Sequence, residues 1–237
     1  MNARALQLTT LAAALGSLAL TGCPNVANLT TARVLDPGTV EVTVAPAVTG
    51  MSAAFFDSTE TGTLTAGTID LGVRAGLAEV VDLGFRISNL GNLNLDVKVG
   101  LLDSETFRIA LDPTIGGVFL SAGGDGDNTS AGYFQLDLPV LFDVVFSDRI
   151  TLSLAPRYTL LYLFAESEVS TASHLLGGAV GLEIALGDSF AIQPNAGIGF
   201  WVNGPDEVST NFFSAGIAFK FLLGGSRLPP PDAAVLR

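Results

Sequence analysis

The sequence predicts an all-β protein, a ten-stranded antiparallel up-and-down transmembrane β-barrel, and three observations predict it. The 237-residue chain is apolar, with a mean hydropathy of +0.51, yet acidic, with a net charge of −12. After residue 22 it holds no run of the roughly 18 consecutive apolar residues that a membrane-crossing helix needs. From residue 39 to residue 223, apolar and polar residues instead alternate in ten segments of about ten residues each. High hydropathy without helical spans leaves the closed barrel as the membrane architecture.

Each element follows from that alternation. Asp36-Pro37-Gly38 is turn chemistry and precedes the first strand. Strand one (39–47) sets Val40, Val42 and Val44 against Glu41 and Thr43. Strand two (68–77) sets Ile69, Leu71 and Val73 against Asp70 and Arg74. Strand three (81–88) opposes Leu83, Phe85 and Ile87 to Asp82 and Arg86. Strand four (93–101) opposes Leu95, Val97 and Val99 to Asn94, Asp96 and Lys98. Strand five sets Phe107, Ile109, Leu111 and Ile115 against Arg108 and Asp112. Strand six sets Phe134, Leu136, Leu138, Val140 and Phe142 against Gln135, Asp137 and Asp143. Strand seven sets Ile150, Leu152, Leu154 and Tyr158 against Ser153 and Arg157, and strand eight sets Leu176, Val180 and Ile184 against Gly181 and Glu183. Strand nine sets Phe190, Ile192 and Ile198 against Gln193, Asn195 and Trp201, and strand ten sets Ile217, Phe219 and Phe221 against Ser214, Gly216 and Lys220. No apolar face carries a charge, and in water such a surface would be a costly patch.

The connections alternate in length. Short turns are expected near 78–79, 103–105, 147–149 and 187–189, and longer loops near 48–66, 120–132, 164–174 and 203–211. Membrane barrels put short turns in the periplasm and long loops outside. Ten strands then leave both chain ends periplasmic. At Asn89-Leu90-Gly91-Asn92 the alternation runs on in phase, but one unbroken strand would be about twice the membrane height, so a hairpin is expected there.

The N-terminus adds an export signal. Arg4, an apolar stretch over 5–20 and small residues at the end make residues 1–22 a signal peptide. Leu20-Thr21-Gly22-Cys23 resembles the lipobox of bacterial lipoproteins, which implies cleavage before Cys23 and acylation of its thiol. Loss of Arg4 takes the net charge from −12 to −13. Residues 23–37 are expected to be a periplasmic tether, 38–223 the barrel and 224–237 a periplasmic tail. Strand ten resembles the C-terminal assembly signal of outer-membrane barrels at Ser214, Gly216, Phe219 and Phe221, although here the chain continues past it. Taken together, residues 38–223 resemble small bacterial outer-membrane barrels, with no motif that selects one family. The resemblance implies an outer-membrane location, lipid contact and insertion by the barrel-assembly machinery.

Function is sought in two places. The inward face is expected to hold Glu41, Asp70, Asp82, Asp96, Asp112, Asp137, Asp143 and Glu183 with Arg74, Arg86, Lys98, Arg108, Arg157 and Lys220. Charges in so low a dielectric are paired or hydrated. They form either a plug of ion pairs or a narrow, cation-preferring path, and ten strands leave little room. The long loops carry eight acids (Asp57, Glu60, Asp125, Asp127, Glu166, Glu168, Asp206 and Glu207) and no Lys or Arg. Among them Asp125 and Asp127 are the best candidates for Ca²⁺. No other cofactor is expected, and clustered basic residues for nucleic acid are absent. An enzyme is not expected: Ser173 and the sole His, His174, adjoin in a strand and would face opposite ways, and His174 is expected in a loop. Three functions remain open: a structural or surface-interaction barrel, a narrow channel for small polar or cationic solutes, and a soluble lipid-anchored β-sandwich or lipocalin-like binder.

Overall fold

A computed structural model describes residues 29–56, 60–88, 91–124, 127–165, 168–202 and 210–227. They form β1 (Val40–Phe56), β2 (Glu60–Ala78), β3 (Val81–Ser88), β4 (Asn92–Asp103), β5 (Phe107–Leu111), β6 (Thr114–Gly124), β7 (Asp127–Ser147), β8 (Ile150–Ala165), β9 (Glu168–Ala185), β10 (Phe190–Trp201) and β11 (Thr210–Leu223). Every pairing is antiparallel, and β1 pairs with β11 from Val40↔Leu223 to Ala53↔Thr210, which closes the ring. β5 and β6 form one stave, divided at Asp112-Pro113, where proline offers no N–H to the ladder. Both segments pair with β4 on one side and β7 on the other, so the barrel has ten staves. A sandwich of two sheets is thereby replaced by one closed sheet.

The barrel is apolar outside and polar inside, the inverse of a lipocalin. Each stave shows a large apolar side chain outward, among them Leu71, Phe85, Leu95, Ile115, Phe134, Leu154, Val180, Ile198 and Ile217. Of the ten largest fully buried side chains among the described residues, only Leu141 is apolar; the others include Lys98, Lys220, Gln135, Asp82 and Asp143. Strict period-two alternation produces this, because successive Cβ atoms point to opposite faces of a strand.

Three expected loops are mostly strand. The stretch 48–66 is taken up by β1 and β2, 120–132 by β6 and β7, and 164–174 by β8 and β9. These stretches are rich in Thr, Ser, Gly and Ala and lack the apolar–polar contrast of a wall between lipid and lumen. β-branched Thr still favours extended backbone. β7 has 21 residues, roughly 70 Å along its axis and about 54 Å of height at a 40° tilt, twice the apolar band of a membrane barrel. The hairpins therefore stand well clear of that band. The β3–β4 hairpin is the exception: it turns directly after Ser88, with Gly91 N–H donating to the Ser88 carbonyl at 3.1 Å. Here the expected hairpin is present.

The stretch expected to be a loose tether is not loose. Leu29, Thr31, Ala32, Leu35 and Thr39 are buried inside the barrel at its short-turn end. The chain runs down the lumen, reverses at Asp36-Pro37-Gly38 and enters β1. Gly38 has φ +81°, and Thr39 N–H donates to the Asp36 carbonyl at 3.0 Å, so proline and glycine occupy the places a tight turn gives them. The expected tail also folds back, because Arg227 is buried.

Candidate functional site: a filled lumen

Small inward residues make room for the N-terminal segment. Ala32 packs on Ala110, Leu141, Ala155 and Ala179, while Leu29 packs on Ala45 and Ala218. Its main chain is held by carboxylates of the wall. Ala32 N–H donates to Asp143 Oδ2 at 2.9 Å and Leu35 N–H to Asp82 Oδ2 at 3.2 Å. Lys98 Nζ donates to Thr30 Oγ1 and to the Thr31 carbonyl, each at 3.2 Å. Buried main-chain N–H groups need such acceptors.

Above and beside this plug lie three ion-pair groups. In the first, Arg74 bridges Asp82, Asp96 and, at 3.2 Å, Asp112, while Lys98 lies 3.2 Å from Asp82. In the second, Arg157 meets Asp137 at 3.3 Å, and Thr159 donates to the same carboxylate. The third joins both ends of the chain: Glu183 accepts from Lys220 at 2.6 Å and from Arg227 at 3.1 Å, and Arg227 also reaches Glu41. Arg33 donates to the carbonyls of Ser226 and Arg227, at 3.0 and 3.3 Å, so the N-terminal segment is tied to the C-terminal one. Burial holds the Arg33 guanidinium below its ordinary pKa, against an upward pull from Glu183. It remains charged nonetheless, as guanidinium groups do.

The structure places all fourteen lumen candidates on the inner wall: Glu41, Asp70, Asp82, Asp96, Asp112, Asp137, Asp143, Glu183, Arg74, Arg86, Lys98, Arg157 and Lys220 in its depth, and Arg108 at the short-turn rim, 2.9 Å from Asp103. Two participants were missed, Arg33 and Arg227. A signal existed: eight inward acids faced six inward bases, and Arg33 and Arg227 are the nearest basic residues outside the two ends of the barrel. The Leu29, Ala32, Leu35 spacing in a supposed tether was a second.

Toward the tall hairpins the filling changes character. Val118, Tyr133, Leu161, Leu175 and Phe212, with Met51 and Trp201 against them, form an inward apolar cluster from β6 through β11 to β1. β2, β3 and β4 contribute Asp70, Ser88, Asn92 and Asn94, all buried. A cavity of about 60 Å³ lies in mid-lumen, bounded by Leu29, Thr30, Arg74, Arg86, Asp137 and Arg157. A vestibule of about 750 Å³ opens at the short-turn end, where Arg33, Arg108, Arg149 and Arg227 mix with Asp36, Asp103, Glu105 and Asp148.

The remaining candidates are placed as follows. Ser214 is buried inward, Gly216 lies against the Pro46 carbonyl, and Phe219 and Phe221 face outward, with Phe221 5.0 Å from Phe190 between ring centres. His174 is not in a loop but on the outer face of β9, its Nδ1 2.5 Å from the Tyr158 hydroxyl, whereas Ser173 is buried on the inner face. Cys23, Asp57, Asp125, Glu166, Asp206 and Glu207 lie outside the described residues, as do the side chains of Glu60, Asp127 and Glu168. Among the described residues no group of three or more potential ligands could hold a metal ion.

No family model matches the chain, and no curated protein matches it. Among solved structures it is similar to the outer-membrane protease OmpT of Escherichia coli, at 10% identity and a TM-score of 0.50, over 81% of this chain and 100% of that one. Neisserial surface protein A is similar at 10% identity and a TM-score of 0.40, over 78% and 98% of the two chains. Identities this low speak to the fold alone, and the fold is that of bacterial outer-membrane β-barrels.

Proposed function

We propose that the protein is an outer-membrane barrel that is sealed at rest and acts through its surface, as a structural or interaction protein. The carrying observation is the plug: residues 29–39 and Arg227 lie across the lumen above the short-turn vestibule and engage Asp82, Asp143, Lys98, Glu41 and Glu183, which would otherwise line a path. The tall hairpins would stand outside the cell and both chain ends in the periplasm. The Cys23 thiol would carry a lipid, and Ser214, Gly216, Phe219 and Phe221 would be read by the assembly machinery. The outward His174, with Ser173 behind it inside the wall, supports a role other than catalysis. The test is single-channel recording of the folded protein in a planar bilayer, with and without Ca²⁺. Silence from inserted protein is the expected result; stable current steps would overturn the sealed state.

Calcium at the tall hairpins is a separate part of the proposal, resting on Asp125, Asp127 and their acidic neighbours in sequence. A calorimetric titration is expected to show heat at millimolar Ca²⁺, and a flat trace would remove it.

A further inference from the structure

On β10 and β11 the buried Asn195 Oδ1, Trp201 Nε1 and Ser214 Oγ have no hydrogen-bond partner among the described residues, and on β3, β4 and β7 five buried polar atoms have none: Ser88 Oγ, Asn92 Oδ1, Asn94 Nδ2, Gln135 Oε1 and Arg86 Nε. These five are not scattered. Ser88 lies across from Asn92, Arg86 from Asn94, and Asn94 from Gly116, which is itself across from Gln135. They therefore form two adjoining levels on β3, β4, β6 and β7. Gln135 Nε2 donates to Asn94 Oδ1 at 3.0 Å, joining the two sides. The lower level leads to the mid-lumen cavity at Arg86 and Asp137, and the floor of that cavity is Leu29 and Thr30 of the plug. The upper level ends where the wall is lowest, at the β3–β4 hairpin, whereas β2 continues from Asp70 to Glu60 and β6 from Val118 to Gly124. The inward apolar cluster takes Val118 from β6 and Tyr133 from β7 but nothing from β2, β3 or β4, so the run from hairpin to plug is polar along β3 and β4. Buried polar atoms lacking protein partners are satisfied by water where a site is polar and roomy enough.

We propose that the barrel is a gated channel for small cations, in which this arc is a water-filled half-channel and residues 29–36 are the gate. The proposal rests on the sealed resting state argued above and adds a conducting one. The gate is built to leave. Apart from the Gly38 and Thr39 contacts with Gly76 at its base, its described hydrogen bonds run to wall side chains and to the C-terminal segment, not to a strand ladder. Gly38, at positive φ, is its hinge. When the gate leaves, Asp82 and Asp143 lose main-chain donors and Arg33 departs with it, so the opened wall favours cations.

The test compares the full chain with a chain lacking residues 29–36 and with Gly76→Leu, whose side chain would displace the gate from the wall. Folding is first shown by gel mobility before and after boiling. Expected are a silent parent and cation-selective steps in both variants. Adding Asn94→Leu and Gln135→Leu to the deletion should abolish the steps. Independently, Ser88→Cys and Asn94→Cys in the intact chain should react with a small, membrane-impermeant thiol reagent above the parent background from Cys23. A conducting parent would overturn the sealed state itself. A silent parent, silent folded variants and unlabelled cysteines would leave that state standing and overturn the gate and half-channel.

Discussion

At the scale of residues, Gly76 shows how closely the wall grips the plug. Its N–H donates to the Thr39 carbonyl at 2.9 Å and its carbonyl accepts from Gly38 at 3.0 Å. A Cβ there would lie 2.2 Å from the Asp36 carbonyl oxygen and 2.6 Å from that of Leu35, too close for either to stay. Gly76→Ala should thus push residues 35–36 off the wall and break the Leu35–Asp82 hydrogen bond, at a cost of about 1–3 kcal/mol. Limited trypsin digestion checks it: Arg33, protected in the parent by its contacts with residues 226–227, should become the new cleavage site. Unchanged protection would show the plug has another hold. Glu183 offers a second check, since it serves both Lys220 and Arg227. Glu183→Gln should destabilise the folded barrel by roughly 3–5 kcal/mol, the cost of leaving buried cations short of a partner. Adding Lys220→Met should recover part of that loss, because Arg227 keeps Glu41. Urea titrations of the two variants in lipid vesicles measure the difference, and strictly additive losses would mean the pair is hydrated rather than buried.

At the scale of elements, alternation was enough for the wall and too little for what stands beyond or within it. β3 (Val81–Ser88) and β10 (Phe190–Trp201) span the ranges their patterns imply, since both lie where lipid and lumen impose opposite chemistries on successive residues. β1, β2, β8 and β9 outrun their patterns, because beyond the apolar band neither face demands a contrast. The alternation also gives the inward register of Arg74 and its neighbours, but not that Asp82, Asp96 and Asp112 converge on one guanidinium, which depends on closure and stagger. The lumen's other occupant was hidden for a different reason. Residues 29–36 have no strand period, and their fit depends on cavities left by Ala110, Ala155 and Ala179 across three other staves. If the upper hairpins lie outside the band, they are dispensable for folding. Replacing residues 163–171 by Asn-Gly, above the Tyr162↔Ala172 pair, should leave a barrel that still migrates differently before and after boiling. Loss of that shift would place the upper β8–β9 hairpin among the elements that hold the barrel closed.

At the scale of the whole molecule, both chain ends meet under one seam. β1 and β11 pair to close the barrel, so the segment entering β1 and the segment leaving β11 arrive together at the short-turn end. Arg227 exploits this by joining Glu41 on β1 to Glu183 on β9, while its carbonyl and that of Ser226 hold Arg33. The residues beyond the last strand are therefore the lower half of the seal. Ending the chain at Leu223 leaves every strand and the Ser214–Phe221 stretch intact, so the barrel should still assemble and shift on boiling. Glu41 loses its described partner, Glu183 keeps only Lys220, and Arg33 loses both carbonyls. Buried carboxylates so stranded draw in water. The truncated protein should consequently unfold at lower urea than the parent and show brief, irregular current events rather than the stable steps expected of the chain lacking residues 29–36, because its plug is loosened but still present. Silence equal to the parent's would mean the N-terminal segment seals the lumen without help from the C-terminus. Stable steps would mean the C-terminal segment holds the plug in place by itself.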